Sequence, residues 1–342
     1  MIRVLAPFPP PYGGVAIHCV RLVEGLRALG LSVHAISLGG IPDAFPGVVR
    51  LGVGFFLSRK LVHYHTDQGN HRWMRLMSLW WRLTRTPYIV TVHSFRQHPD
   101  IERARVQRGL ARAFQKANAI IAISKETAAD LEKHLDTSFP KMRIVPSDLP
   151  TSAWERACPL PLGVPQRWSN APIRLLANAG RVVRFRGKDL YGIDVLLRAF
   201  ALVQHPHASL CIAVGAVVDG TLWSELQTLI EQDSRVVIVQ NITTPLLPLV
   251  VHAHAVVRPT RTEGGSSLSL QEALECGRWA VGSDAVPRPE GTVVFRNEDE
   301  ADCARVIATV ISDVERGHMP PARPINPAAV QQIANVYSRY NV

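Results

Sequence analysis

Four groups of residues combine types and spacings that suit chemistry. The richest is Arg258-Pro259-Thr260-Arg261-Thr262-Glu263-Gly264-Gly265-Ser266-Ser267-Leu268-Ser269-Leu270-Gln271-Glu272-Ala273-Leu274-Glu275-Cys276-Gly277. An apolar strand feeds a loop with an acid, two glycines and two serines, and a helix containing Glu272 follows. The serine pair suits a helix cap, and the helix N-terminal N–H groups suit a phosphate. A carboxylate one turn in can accept from vicinal hydroxyls, as on a ribose. An ordinary capped helix with a surface Glu has the same residues.

The second group is Gly180-Arg181-x-x-Arg184-x-Arg186-x-Lys188, with four cations in eight residues. Its place beyond a strand end favours a diphosphate over a solvated basic loop, because fixed Arg and Lys donors match that charge. The third is His93 in Thr91-Val92-His93-Ser94-Phe95, at the carboxyl end of a strand, where it can donate to a substrate hydroxyl. With 13 His in the chain, a purely structural histidine is the competing reading. The fourth is Pro9-Pro10-Pro11-Tyr12-Gly13-Gly14. Glycines there let backbone N–H groups approach an anion or sugar at a helix N-terminus, or simply make a tight turn. The spacing is not the GxGxxG of dinucleotide enzymes.

These groups need elements to hold them. Apolar runs at Ile2–Ala6, Leu31–Leu38, Leu61–His65, Tyr88–Val92, Ala119–Ile123 and Arg143–Val145 predict strands, and a three- and four-residue period from Cys19 to Leu29 predicts a helix that stops at Gly30. The second half repeats the alternation, with strands at Ile173–Asn178, Ser209–Val214, Val236–Val239, Ala255–Val257, Trp279–Val281 and Thr292–Phe295. Helices fall between them at Ile193–Leu202, Leu222–Glu231 and Leu268–Cys276. Such alternation predicts an α/β fold with two parallel sheets, each Rossmann-like. Residues 151–172 carry four prolines without a clear period and read as a linker.

Composition narrows the partners. The 342 residues are 47% apolar and 19% charged, which is globular, and the length suits about two domains. Net charge is +10, which favours anionic partners. The five Cys are far apart and form no CxxC, so neither a zinc cage nor a disulfide framework is expected. No apolar stretch reaches membrane-spanning length, and the start lacks a signal peptide's core. The expected setting is cytoplasmic. Nucleic-acid binding has only the net charge in its favour.

The combined pattern resembles the GT-B glycosyltransferases, specifically the large retaining family 4. The resemblance runs from the PPxxGG loop to the helix after Gly277, and its most specific part is the Glu263…Glu272-Ala273-x-x-x-Gly277 segment. It implies two Rossmann-like domains facing a central cleft: an acceptor domain over residues 1–155, a nucleotide-sugar domain over 170–325, and a C-terminal helix in 326–342 packing back on the first. It further implies transfer of a sugar from a nucleoside-diphosphate sugar to a hydroxyl of a saccharide or lipid-linked acceptor, with retention, in bacterial surface polysaccharide or glycolipid assembly. No cofactor and no metal are implied, and no DxD cluster appears.

By the same resemblance, Glu272 holds the ribose, while Glu263 and the N–H groups of Gly265, Ser266, Ser267 and Leu268 hold the sugar and diphosphate. Arg181 with Lys188 or one of Arg184 and Arg186 neutralises the leaving group, His93 contacts the sugar's distal hydroxyl, and Gly13 and Gly14 lie under the diphosphate or acceptor. Three departures stand out. Glu263 and Glu272 have eight residues between them, one more than usual. Tyr191 stands where the family places a Lys before Gly192-Ile193-Asp194. Pro146-Ser147-Asp148 replaces a PNGxD turn. A degenerate binder without turnover and a sugar-nucleotide epimerase therefore stay open beside the transferase.

Arg72 to Arg85 is a further candidate. Trp73, Leu76, Met77, Trp80 and Leu83 fall at helical spacing, with Arg75, Arg82 and Arg85 on another side. The pattern fits either a helix packed on the first sheet or a basic amphipathic helix on an anionic membrane face, peripheral to the inner side of the cell membrane.

Overall fold

A computed structural model describes residues 1–10, 12–39, 45–66, 71–95, 104–147, 149–242, 244–263, 267–323 and 328–340. Gly264, Gly265 and Ser266 of the glycine-serine loop, and Asp148, lie outside these. The chain divides into two compact units: Met1–Pro10, Val15–Ser152 and Asn326–Val342 form the first, and Pro11–Gly14 with Ala153–Ile325 the second.

The first unit begins with β1 (Ile2–Ala6), α1 (Gly14–Ala28), β2 (Val33–Ser37), β3 (Val48–Arg50), α2 (Val53–Leu57) and β4 (Val62–Thr66). It continues with α3 (His71–Leu83), β5 (Tyr88–Val92), α4 (Ala104–Gln115), β6 (Ala119–Ala122), α5 (Lys125–Leu135) and β7 (Met142–Ile144). Its seven strands pair in parallel in the order β3-β2-β1-β4-β5-β6-β7. Strands buried on both faces read as continuous apolar runs, which is why periodicity finds them.

Side-chain alternation splits the two faces of this sheet. Val62 and Tyr64 of β4, with Tyr88, Val90 and Val92 of β5, pack with Met74, Met77 and Trp81 of α3 and with Leu110 and Phe114 of α4. His63, His65, Thr91 and His93 therefore point to the opposite face.

The second unit holds α6 (Ala153–Ala157), α7 (Gln166–Ser169), β8 (Ile173–Ala179), β9 (Arg184–Phe185), β10 (Lys188–Asp189), α8 (Ile193–Leu202), β11 (Ala208–Val214) and α9 (Gly220–Glu231). Then come β12 (Val236–Gln240), α10 (Leu247–His252), β13 (Ala255–Arg258), α11 (Leu268–Glu275), β14 (Trp279–Ser283), β15 (Val293–Phe295) and α12 (Glu300–Glu315). Six strands pair in parallel in the order β12-β11-β8-β13-β14-β15, and β9–β10 form an antiparallel hairpin. Leu175, Ala177, Leu210 and Ile212 meet α8, α9 and α12, while Leu176, Cys211 and Ala213 meet α10, α11 and Trp168.

The segment expected to be a linker is built into this unit. Trp168 and Glu155 are fully buried, and the Trp168 indole N–H donates to the Leu175 carbonyl at 2.9 Å. Its prolines interrupt helical periodicity without freeing the chain. The last helix, α13 (Ala328–Tyr337), belongs to the first unit, where Val330 presses so closely on α1 that a Cβ on Gly25 would lie 2.8 Å from it.

Both sheets share one logic. The chain lays down a central strand, adds two on one side, then crosses to build the other side. The reversal falls between β1 and β4 in the first sheet and between β8 and β13 in the second. In open parallel sheets the crevice beyond the carboxyl ends at such a reversal takes the ligand.

Candidate functional site

In the second unit the reversal brings two of the sequence's four groups together. Gly180 and Arg181 follow the end of β8, Pro259 follows the end of β13, and Ser267 stands directly before α11. Arg181 is exposed and makes no ion pair among the described residues. Glu272 is buried on α11, 3% exposed. Ser267 occupies the N-cap position of α11, but its hydroxyl does not cap the helix; it lies 3.0 Å from the Ser269 hydroxyl. The expected serine cap is therefore absent at Ser267, leaving the first N–H groups of α11 without that partner.

Glu263 is held by two arginines. Its Oε1 accepts from both Nε (3.0 Å) and Nη2 of Arg258, and its Oε2 accepts from Nη1 of Arg288 at 2.7 Å. Both carboxylate oxygens are thus occupied by buried guanidinium groups. Burial opposes the charge on Arg258, but Glu263 and Tyr191 outweigh it and raise its pKa. Arg258 also donates to the Asn178 carbonyl at 2.9 Å and lies 4.8 Å from the Tyr191 ring centre. Sequence reasoning missed Arg258 and Arg288 as partners of Glu263, and the second is too far along the chain to be signalled by spacing.

The turn that replaces the family's Lys-Gly-x-Asp run is bolted to the same loop. Asp189 accepts from the N–H groups of Tyr191 (3.0 Å) and Ile193 (2.6 Å). Arg261 reaches back to both Asp194 oxygens at 2.8 and 3.0 Å and to the Asp189 carbonyl at 2.6 Å. Gly192 sits at φ +66°, and a Cβ there would lie 2.0 Å from the Pro259 carbonyl oxygen. Gly192→Ala is expected to lower unfolding free energy by at least about 1–3 kcal/mol, the usual cost of such a backbone state for a non-glycine residue. Urea unfolding of the variant measures it.

The remaining cations are not gathered with Arg181. Arg184 and Lys188 sit on the β9–β10 hairpin, paired with Asp219 (3.1 Å) and Glu225 (2.7 Å), and with Glu298 (2.7 Å). They line a cavity of about 610 Å³ together with Asp194, Glu300 and Arg261. Acidic neighbours already balance them. The glycine pair lies where Pro11–Gly14 joins the second unit: Tyr12 stacks on Trp154 with ring centres 6.4 Å apart, and a Cβ on Gly14 would lie 3.5 Å from Leu268.

In the first unit His93 follows β5 and is 7% exposed. Its Nε2 lies 3.0 Å from Nδ1 of His65, and its ring meets the His18 ring edge-on at 4.7 Å. His63 is pinned beside them: Nδ1 lies 2.5 Å from the Tyr337 hydroxyl and Nε2 lies 2.7 Å from the Thr91 hydroxyl. Burial is the main cause that lowers all four imidazole pKa values, to about 4 for His18 and about 3 for His63. All four are neutral at pH 7. The sequence did carry a signal for this cluster: His63-x-His65 is a period-2 pair on one strand face.

The Arg72–Arg85 segment folds as α3 with the opposite facing from a simple core helix. Met74, Met77, Ser78 and Trp81 are buried, whereas Trp73, Leu76, Leu79, Trp80 and Leu83 are exposed, Leu83 by 72%. Phe56 of α2 meets Trp80 edge-on at 5.8 Å, so the exposed Leu57 of α2 lies on a helix adjoining this face. Arg75 is half-buried against Gly109, while Arg72, Arg82 and Arg85 are exposed. No helix among the described residues is long and apolar enough to cross a membrane.

Two family models match the chain: one described as Glycosyltransferase Family 4 over residues 12–147, the other as Glycosyl transferases group 1 over residues 176–313. No curated protein matches its sequence. Among solved structures it is similar to HepE of Anabaena in complex with UDP and glucose, at 14% identity and TM-score 0.72, over 99% of this chain and 100% of that one. A glycosyltransferase from Rickettsia africae is similar at 13% identity and TM-score 0.63, over 99% and 96%. So is a Listeria monocytogenes protein provisionally assigned as a UDP-N-acetylglucosamine 2-epimerase, at 11% identity and TM-score 0.60, over 99% and 96%. At these identities the structural likenesses speak for the fold, which is GT-B.

Proposed function

The chain belongs to the group 1 glycosyltransferases, and from that premise we propose that it moves a sugar from a nucleoside-diphosphate sugar to a hydroxyl of a saccharide or lipid-linked acceptor, with retention at the anomeric carbon. The observation that carries this reading is the reversal between β8 and β13, where Arg181, without an ion pair among the described residues, follows one strand end and α11, with the buried Glu272, follows the other. On this reading Glu272 accepts from the ribose hydroxyls. The α11 N–H groups and Arg181 take the diphosphate, whose charge grows as the anomeric C–O bond breaks. The new bond forms from the acceptor oxygen on the same face, and the acceptor's proton passes to the departing phosphate oxygen. No base or metal is assigned to the step. Glu263 is a brace for the loop rather than a sugar contact, because both of its oxygens already accept from arginines. His93 remains the candidate contact for the sugar.

HepE was solved with UDP and with glucose, which makes UDP-sugars the first donors to try. Proton NMR of the product with an α-configured donor tests the stereochemistry: an α linkage supports retention, and a β linkage refutes it.

The exposed face of α3 suits an acceptor carried on a lipid. Trp73, Leu76, Trp80 and Leu83 with Arg72, Arg82 and Arg85 would seat on an anionic membrane surface, and the described residues from Phe45 to Phe95 include no Asp or Glu. Each cation near such a surface contributes about 1 kcal/mol, so replacing the three with Ala is expected to weaken binding to anionic vesicles roughly 100-fold. Flotation with phosphatidylglycerol vesicles checks this, and equal flotation of wild type and variant would remove the membrane role.

A further inference from the structure

The histidine cluster offers more than a sugar contact. His18 is 2% exposed, and among the described residues its ring nitrogens make no hydrogen bond of ordinary geometry, with only the Ser147 backbone acting on the ring; Nε2 of the fully buried His65 has no partner there either. Buried polar atoms are nearly always satisfied, and each exception asks for an explanation such as a missing ion. These nitrogens belong to neighbouring side chains, the His18 and His65 rings being 5.7 Å apart. One ligand atom from each of His18, His65 and His93 falls within 4.8 Å of the others. His63 is excluded from this set because Tyr337 and Thr91 occupy its two nitrogens.

We propose that His18, His65 and His93 bind a divalent transition metal, with zinc as the best match. Neutral imidazole is a common ligand for such ions, and a three-histidine set leaves the fourth tetrahedral position to water or another oxygen. Two nitrogens on a tetrahedral zinc lie about 3.3 Å apart, given bonds of about 2.0–2.1 Å. His65 Nδ1 and His93 Nε2 stand at 3.0 Å, close to that spacing, so a metal between them would take the place of their hydrogen bond, with Nδ1 and not Nε2 as the His65 ligand atom. His18 completes the set from α1, with a ligand atom within 4.8 Å of one from each of the other two. The ligands come from α1, β4 and the end of β5, three elements already fixed by the core. Arg21 acts on His18 as a like charge and raises the energy of a cation here. The inference does not depend on the transferase reading.

The test uses the full chain, stripped with a chelator and dialysed. Zinc titrated by calorimetry, and cobalt followed by its visible spectrum, are expected to give one ion per chain, a tetrahedral cobalt band and a zinc-dependent rise in melting temperature. His18→Phe, which keeps ring volume, and His65→Leu are each expected to weaken binding at least tenfold and to abolish the rise. His207→Ala, at an exposed histidine, is expected to leave all three readouts unchanged. Absence of stoichiometric binding by the wild type, or stoichiometric binding that survives in both variants, would overturn the proposal. Wild-type spectra decide the matter even if one variant does not fold.

Discussion

Glu263→Ala is expected to lower the unfolding free energy by about 3–5 kcal/mol, because it strands two buried arginines. The side chains of Arg258 and Arg288 are 9% and 3% exposed, and Glu263 lies between them, accepting from each. Removing the carboxylate leaves both arginines without the acid they donate to, with Asp284 alone still acting on Arg288, and the loss of Coulomb energy is not returned by water. Glu263→Gln keeps the shape and one acceptor oxygen, so it is expected to lie between wild type and Ala. Denaturant unfolding ranks the three proteins. Equal stability of Ala variant and wild type would show that the carboxylate is not the brace of this loop, and would restore it as a candidate sugar contact.

Arg181→Ala is expected to act the other way, on turnover and not on folding. The side chain is exposed and makes no ion pair among the described residues, so its loss is expected to cost little stability. If it stabilises charge on the departing diphosphate, kcat falls about 100- to 1000-fold, the usual effect of removing one such donor. Lys188→Ala is the control. Its Nζ is held 2.7 Å from Glu298 on a surface where both partners are well exposed. Such a pair contributes no more than about 1 kcal/mol to stability. Turnover of this variant is expected to stay near that of wild type. A reversed order, with Lys188→Ala the inactive variant, would move the diphosphate from the end of β8 to the hairpin.

Strands buried on both faces were the most legible part of the fold: Tyr88–Val92 and the helix Ile193–Leu202 have the bounds that their apolar patterns suggest. The β9–β10 hairpin was not legible. Its strands are two residues each, too short for a period, and its signal is the Arg186-Gly187 turn, where both residues have positive φ. Residues 151–172 misled for a related reason, since prolines mask the tertiary burial of Trp168 and Glu155. In α3 the period was clear, but periodicity divides a helix into faces without saying which is covered. Met77 alone of the five spaced apolar residues turns inward.

The site was legible by type more than by partner. Arg181 and Glu272 stand where the strand-end argument puts them. Glu263 belongs to a contact with Arg288, formed across 25 residues of chain, and no local pattern announces it. Gly192 is glycine because Pro259 approaches from another strand's end, which is again a fact of packing. Gly265 and Ser266 lie outside the described residues, so their part in the loop rests on the sequence.

The most direct measurement of the central claim is nucleoside-diphosphate release from a panel of UDP-, GDP-, ADP- and dTDP-sugars, each with and without saccharide or lipid-linked acceptors. Sugar transfer requires release that depends on acceptor and matches glycosylated product one to one. Donor binding with no release under any pairing, or conversion of a UDP-sugar to its epimer without acceptor, would contradict it.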